Sequence, residues 1–138
     1  MLDTAQKYAD LVAVVTAAKY TTAAGINAAR VRVDTALYVK ERALLVIANE
    51  TTTALTTLTV QDSLTSAGAL ANVLAAALTN PETGAAATLS DLTTVNQIIA
   101  VDLNRVRRFL TVTAAVDPTT VNGAAIAVYL IAQKVFPD

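Results

Sequence analysis

A chain of 138 residues is the length of one ordinary domain and can bury a core without disulfide or metal staples. Its composition is 54% hydrophobic but only 4% aromatic, so the apolar mass is Ala, Val, Leu and Ile, more than a comfortable monomer buries. The lack of cysteine and histidine excludes disulfides, thiol nucleophiles, thiolate or imidazole metal ligands and Ser-His-Asp catalysis, and a net charge of −1 gives no global attraction to nucleic acid or anionic lipid.

In chain order, residues 1–10 have mixed polarity, with Leu2, Ala5 and Ala9 at near-helical spacing, and read as a short helical turn or an extended arm. Asp3 precedes the first basic residue, Lys7, and no basic region leads into the apolar stretch after Asp10, which predicts a cytoplasmic protein without a secretory signal. The β-branched run Leu11-Val12-Ala13-Val14-Val15-Thr16 predicts a strand buried on both faces, broken at 20–25. Segment 30–34 alternates, with Val31 and Val33 on one face and Arg30, Arg32 and Asp34 on the other, the pattern of a half-exposed strand.

The apolar run 43–48 ends at the turn-like Asn49-Glu50-Thr51, and Leu58 and Val60 then alternate with Thr57, Thr59 and Gln61. This pair predicts a β-hairpin. Segment 67–78 is Ala-rich, with Leu70, Leu74 and Leu78 at four-residue spacing, and predicts either a helix of about three turns or an irregular crossover. No apolar run in the chain reaches the about 20 residues that a membrane-spanning helix needs.

A turn cluster at 80–84 and a loop at 90–94 lead into three further strands, 96–102, 107–114 and 124–135, separated by turns at 103–105 and 117–123. Leu110, Val112 and Ala114 share one face of the second of these. The third is apolar on both, with Ile126, Val128 and Leu130 against Ala127, Tyr129 and Ile131. Such a strand is central, or its outer face meets a partner.

About six or seven strands without βαβ alternation predict an all-β, antiparallel β-sandwich, jelly-roll-like, with room for one short helix in the 67–78 insertion. Residues 1–19 form an N-terminal arm and first strand, and 20–138 a single sandwich domain.

Motifs for chemistry are absent. Gly occurs only at 25, 68, 84 and 123, so there is neither GxGxxG nor GxxxxGK[ST], and the scattered acids show no spacing that points to a glycosidase pair. The chain is therefore expected to be no enzyme, with no catalytic residue, cofactor or metal. The densest charge run, Arg105-Val106-Arg107-Arg108, suits an acidic neighbour or phosphate, against the simpler reading of pairing with Asp102 or facing solvent. Two Phe and four Tyr are thin for base stacking. The candidate partner-binding residues are Arg105, Arg107, Arg108, Tyr129 and Ile131.

The run Tyr38-Val39-Lys40-Glu41-Arg42-Ala43-Leu44-Leu45-Val46-Ile47, then Leu58-Thr59-Val60-Gln61-Asp62-Ser63, then Val101-Asp102-Leu103 with Arg107-Arg108-Phe109-Leu110-Thr111-Val112, and finally 125–137, resembles tailed-bacteriophage capsid decoration, or cement, proteins. The Ala-rich stretch 67–87 departs from that pattern. The resemblance implies a jelly-roll-like structural virion protein, often a homotrimer, made in the host cytoplasm and set on the outer capsid surface. There it would bind the major capsid protein through loops and the N-terminal arm, with no direct contact to nucleic acid or membrane. A head-completion or tail subunit, or an adhesive or carbohydrate-binding sandwich module, is the alternative.

Overall fold

The computed structural model describes residues 9–49, 57–87, 96–118 and 123–135. Its elements are β1 (Ala9–Tyr20), α1 (Ala23–Ala29), β2 (Val33–Asp34), β3 (Arg42–Asn49), β4 (Leu58–Ser63), β5 (Ala71–Asn72), β6 (Leu78–Thr79), β7 (Asn96–Asp102), β8 (Phe109–Ala114) and β9 (Ala124–Gln133). Two antiparallel sheets face each other: five strands in the order β1-β9-β3-β7-β6 and four in the order β2-β8-β4-β5. This is the all-β, jelly-roll-like sandwich that the alternating segments predict.

The period-2 pattern decides what meets between the sheets. Ala43, Leu45 and Ile47 of β3, Ile99 and Val101 of β7, and Ile126, Val128 and Leu130 of β9 point inward from the larger sheet. Leu58 and Val60 of β4 with Leu110, Val112 and Ala114 of β8 face them from the smaller one. Each such large side chain, fully buried, contributes roughly 1.5–3 kcal/mol before chain entropy is set against it. The strand read as apolar on both faces, β9, is indeed central, hydrogen-bonded to β1 on one side and β3 on the other.

Three local expectations are corrected, and of the two readings of 67–78 the irregular crossover holds. The segments 43–48 and 58–62 do not form a hairpin: β3 and β4 lie in different sheets and meet face to face across the core. Their alternation fixes which residues face inward, and it reads the same whether two strands pair edge to edge or stack. The turn proposed at 49–51 and the start of the second arm lie partly outside the described residues.

The first strand is not buried on both faces. It is twelve residues long and runs along the edge of the sheet, with Leu11 65% exposed. Its register against β9 shifts twice, between Ala13 and Val15 and between Val15 and Ala18, so that the consecutive Val14 and Val15 are both buried. Shifts of this kind bend a strand. Here Val15 bridges to Arg30, and the Val31 amide donates to the Val14 carbonyl at 2.7 Å.

The alternating segment 30–34 contracts to the two-residue β2, with Val33 buried and Val31 48% exposed. The Arg30 amide is taken by the Ile26 carbonyl at the end of α1, and that of Val31 by β1. Finally, 67–78 is no α-helix. Arg32 Nη1 donates to the Gly68 carbonyl at 2.7 Å, the Val73 amide donates to the Val60 carbonyl at 3.0 Å, and only Ala75–Ala77 makes a 3-10 turn. Backbone groups that a helix would pair internally are taken by β4 and Arg32, and Leu74 is left exposed.

The helix of this fold is α1. Thr22 caps it by accepting from the Gly25 amide at 3.0 Å, Asp117 Oδ1 accepts from the Ala23 amide at 2.6 Å, and the buried Ile26 plugs one end of the sandwich. Asn27 pairs with both backbone groups of Ala114, at 2.9 and 2.7 Å, satisfying the end of β8 where no strand continues.

Gly123 opens β9 at φ +79°, and a Cβ there would lie 2.7 Å from the Tyr20 carbonyl oxygen, whereas Gly84, at φ +75°, has open space around it. Gly123→Ala is expected to destabilise by about 3 kcal/mol and Gly84→Ala by about 1 kcal/mol, read from urea unfolding midpoints. Equal losses would show that the Tyr20 backbone yields to the added methyl.

Candidate functional site

The two outer faces of the sandwich differ in chemistry. On the smaller sheet the outward side chains are polar and joined: Arg30 Nη1 donates to Thr113 Oγ1, the Thr113 hydroxyl donates to Gln61 Oε1, and Gln61 Nε2 donates to Asn72 Oδ1 at 2.9 Å. Desolvation and the neighbouring Arg32 charge hold the Arg30 pKa below its ordinary value. A face of this kind is suited to water.

The outer face of the larger sheet is apolar, and strand register arranges it in rows. Leu11, Ile131, Leu44 and Ala100 are cross-strand neighbours, as are Ala13, Tyr129, Val46 and Ile98, and then Ala127, Ala48 and Asn96. No charged side chain stands in these rows; Arg42 and Asp102 lie beyond one end and Lys19 beyond the other. Leu11 and Ile98 are 65% and 50% exposed. A contiguous apolar patch with a polar rim marks an interaction surface.

At the Lys19 end the patch dips into an open groove of about 400 Å³ whose lining is mostly alanine, Ala17, Ala48 and Ala127 among them, together with Lys19, Asn49 and Asn96. It exists because the register shifts of β1 and the alanines of β3 and β9 leave little side chain to fill it. A second groove separates β7 from the loop after β6, and beside it the buried Gln97 Oε1 lacks a hydrogen-bond partner.

Of the sequence candidates, Tyr129 and Ile131 lie together on this apolar face. The three arginines are each engaged elsewhere. Arg105 pairs with Asp102 at 3.3 Å and Arg108 with Asp34 at 2.9 Å, its guanidinium 5.1 Å from the Phe109 ring centre. Arg107 grips the buried Asp62 with its amide and Nε on the two carboxylate oxygens, at 2.8 and 2.7 Å, and donates from Nη2 to the Asp62 carbonyl at 2.7 Å. Arg107 and Arg108 latch the turn before β8 to β4 and β2, while the Arg105 pair is a local surface contact three residues along the chain. Residues that sequence reasoning did not single out are Leu11, Leu44, Val46 and Ile98; the unbroken 43–48 run was the signal for two of them.

Among the described residues no group of three acids is placed to hold a metal ion, and Asp34, Asp62 and Asp102 are each held by an arginine. No helix is long and apolar enough to cross a membrane among the residues described. Comparison with protein-family models, with curated proteins and with solved structures finds no match to this chain.

The two latches differ in burial. Asp62→Ala is expected to cost about 3 kcal/mol in urea unfolding, because it leaves the Arg107 donors and the Asp62 site unmatched. Asp34 is exposed, and its hydrogen bond from Arg108 holds its pKa below the ordinary value. Its contribution is present above the ordinary aspartate range and lost as pH falls through the lowered value. Asp34→Asn should therefore lower stability slightly at neutral pH and leave it unchanged in acid, flattening the acid limb by the same small amount.

Proposed function

We propose that the chain is a non-catalytic structural subunit that works as an oligomer: a capsid decoration protein of a tailed bacteriophage. It self-associates through the outer face of the larger sheet and meets the major capsid protein through its loops, on the outer surface of the virion. The observation that carries this reading is the difference between the two outer faces, one apolar and rimmed by charge, the other polar and internally bonded. A decoration protein needs a stable fold, apolar contact area and no chemistry, and a rigid sandwich with one unsatisfied face supplies these.

An adhesive or carbohydrate-binding module would be favoured by an aromatic platform, since sugar rings stack on aromatic faces. Tyr129 is the one aromatic side chain in the described rows of the apolar face, which weighs against that second reading.

Light scattering over a range of concentrations, followed by co-sedimentation with expanded heads of the cognate capsid protein, tests the proposal. The native chain should associate and sediment with heads. Tyr129→Glu, which sets a charge in the middle of the face, should lower self-affinity by at least about a hundredfold with an unchanged circular dichroism spectrum. A native chain that is monomeric at every concentration would refute the oligomeric reading, and an oligomer that ignores heads would refute decoration.

A further inference from the structure

Along its strands the apolar face is graded in side-chain size. On β1, β9 and β3 the row Leu11, Ile131 and Leu44 is large; the next holds Tyr129 between Ala13 and Val46; the third is Ala127 and Ala48, with Ala17 of β1 beside them, while on β7 the same rows hold Ala100, Ile98 and Asn96 and show no such gradient. The alanine row is where the groove of about 400 Å³ opens. Bulk thus stands at one end of the face and a hollow at the other, on the same three strands.

We infer that a second copy of this chain covers the face, related by a two-fold axis that runs parallel to the sheet midway between the two copies, crosses the strands at right angles and passes over Tyr129. Rotation about that axis exchanges the large and the alanine rows. Leu11 of each copy then seats in the other's groove at Ala17, Ile131 faces Ala127, Leu44 faces Ala48, and Tyr129 meets its own counterpart. Sheets stacked face to face pack about 10 Å apart with interlocking side chains, and a large residue opposite a small one is what lets them interlock.

Other arrangements lack this fit. A two-fold axis parallel to the strands sets the large row on the large row and leaves both grooves empty. The selected pair is isologous, so every contact occurs twice, and it closes on itself. It also differs from the three-fold assembly that the resemblance to decoration proteins implies. The net charge of −1 opposes no such pairing, and Arg42, Asp102 and Lys19 stay at the ends of the strands as a polar rim.

The inference rests on the reading that the face serves self-association, and adds who covers it and in what orientation. The chain has no cysteine, so introduced ones report cleanly. Leu11 and Ala17 are both exposed, and their substitution leaves the core untouched. Within one copy they stand opposite Ile131 and the neighbourhood of Ala127, roughly four strand residues or 14 Å apart, beyond the reach of a disulfide.

Leu11→Cys with Ala17→Cys should form a disulfide-linked dimer under mild oxidation at high protein concentration, where the disulfide traps the paired fraction although the leucine is lost, as facing sheets can be bridged this way, and neither single variant should. Leu11→Ala should weaken the dimer on the order of a hundredfold, because the two-fold removes two leucines at once. Association by light scattering without this cross-link, or with equal cross-linking in a single variant, would overturn the two-fold arrangement while leaving self-association standing. A native chain monomeric at every concentration would overturn both.

Discussion

Everything in this fold depends on β9 being apolar on both faces and paired on both edges. Its inward residues, Ile126, Val128 and Leu130, close the core of the larger sheet, and its neighbours β1 and β3 take their register from it. The same backbone that places those side chains inward must place Ala127, Tyr129 and Ile131 outward, because the side-chain period is two. Of that outward set Ala127 is buried by its neighbours, and Tyr129 and Ile131 are half-buried. Stability of the sandwich and the apolar character of its outer face are therefore set by the same strand.

Charge is arranged so as not to interfere with this. The basic run before β8 is spent on Asp62, Asp34 and Asp102, and the polar outer residues of the smaller sheet bond to one another. Among the described residues Asp62 is the buried acid, and Arg107 meets its carboxylate with two donors and its carbonyl with a third. Specificity of the β4–β8 pairing follows, since a shift of one residue would move Asp62 away from these donors.

Fold class was legible in the sequence because alternation in 58–62 and 107–114 reports directly which residues face inward, and because 124–135, apolar on both faces, reads as an interior strand. Pairing was not: the proximity of 43–48 to 58–62 suggested a hairpin, yet alternation carries no information about whether two strands share a sheet or face across a core. The Leu70, Leu74 and Leu78 spacing suggested a helix, but a tertiary contact from Arg32 and pairing with β4 outweigh local propensity there. The short helix that does form, at Ala23–Ala29, is only seven residues, too brief for apolar periodicity to reveal it. At the apolar surface, Tyr129 and Ile131 were visible as the second apolar face of a strand, whereas Leu11 was hidden by the expectation that β1 is buried on both sides.

The pairing of β1 with β9 has a consequence for how the chain reaches this state. The strands that flank β9 are separated from it by most of the sequence, and it follows every other described strand. During synthesis β1 and β3 must wait, with their inner edges unpaired, until residues 124–133 have left the ribosome. Closing such long loops is slow, and the waiting edges are templates for the wrong neighbour. Yield on expression should thus depend on the speed of translation and on chaperones more than the final stability would suggest, and truncation before β9 should give an aggregating chain instead of a smaller sandwich.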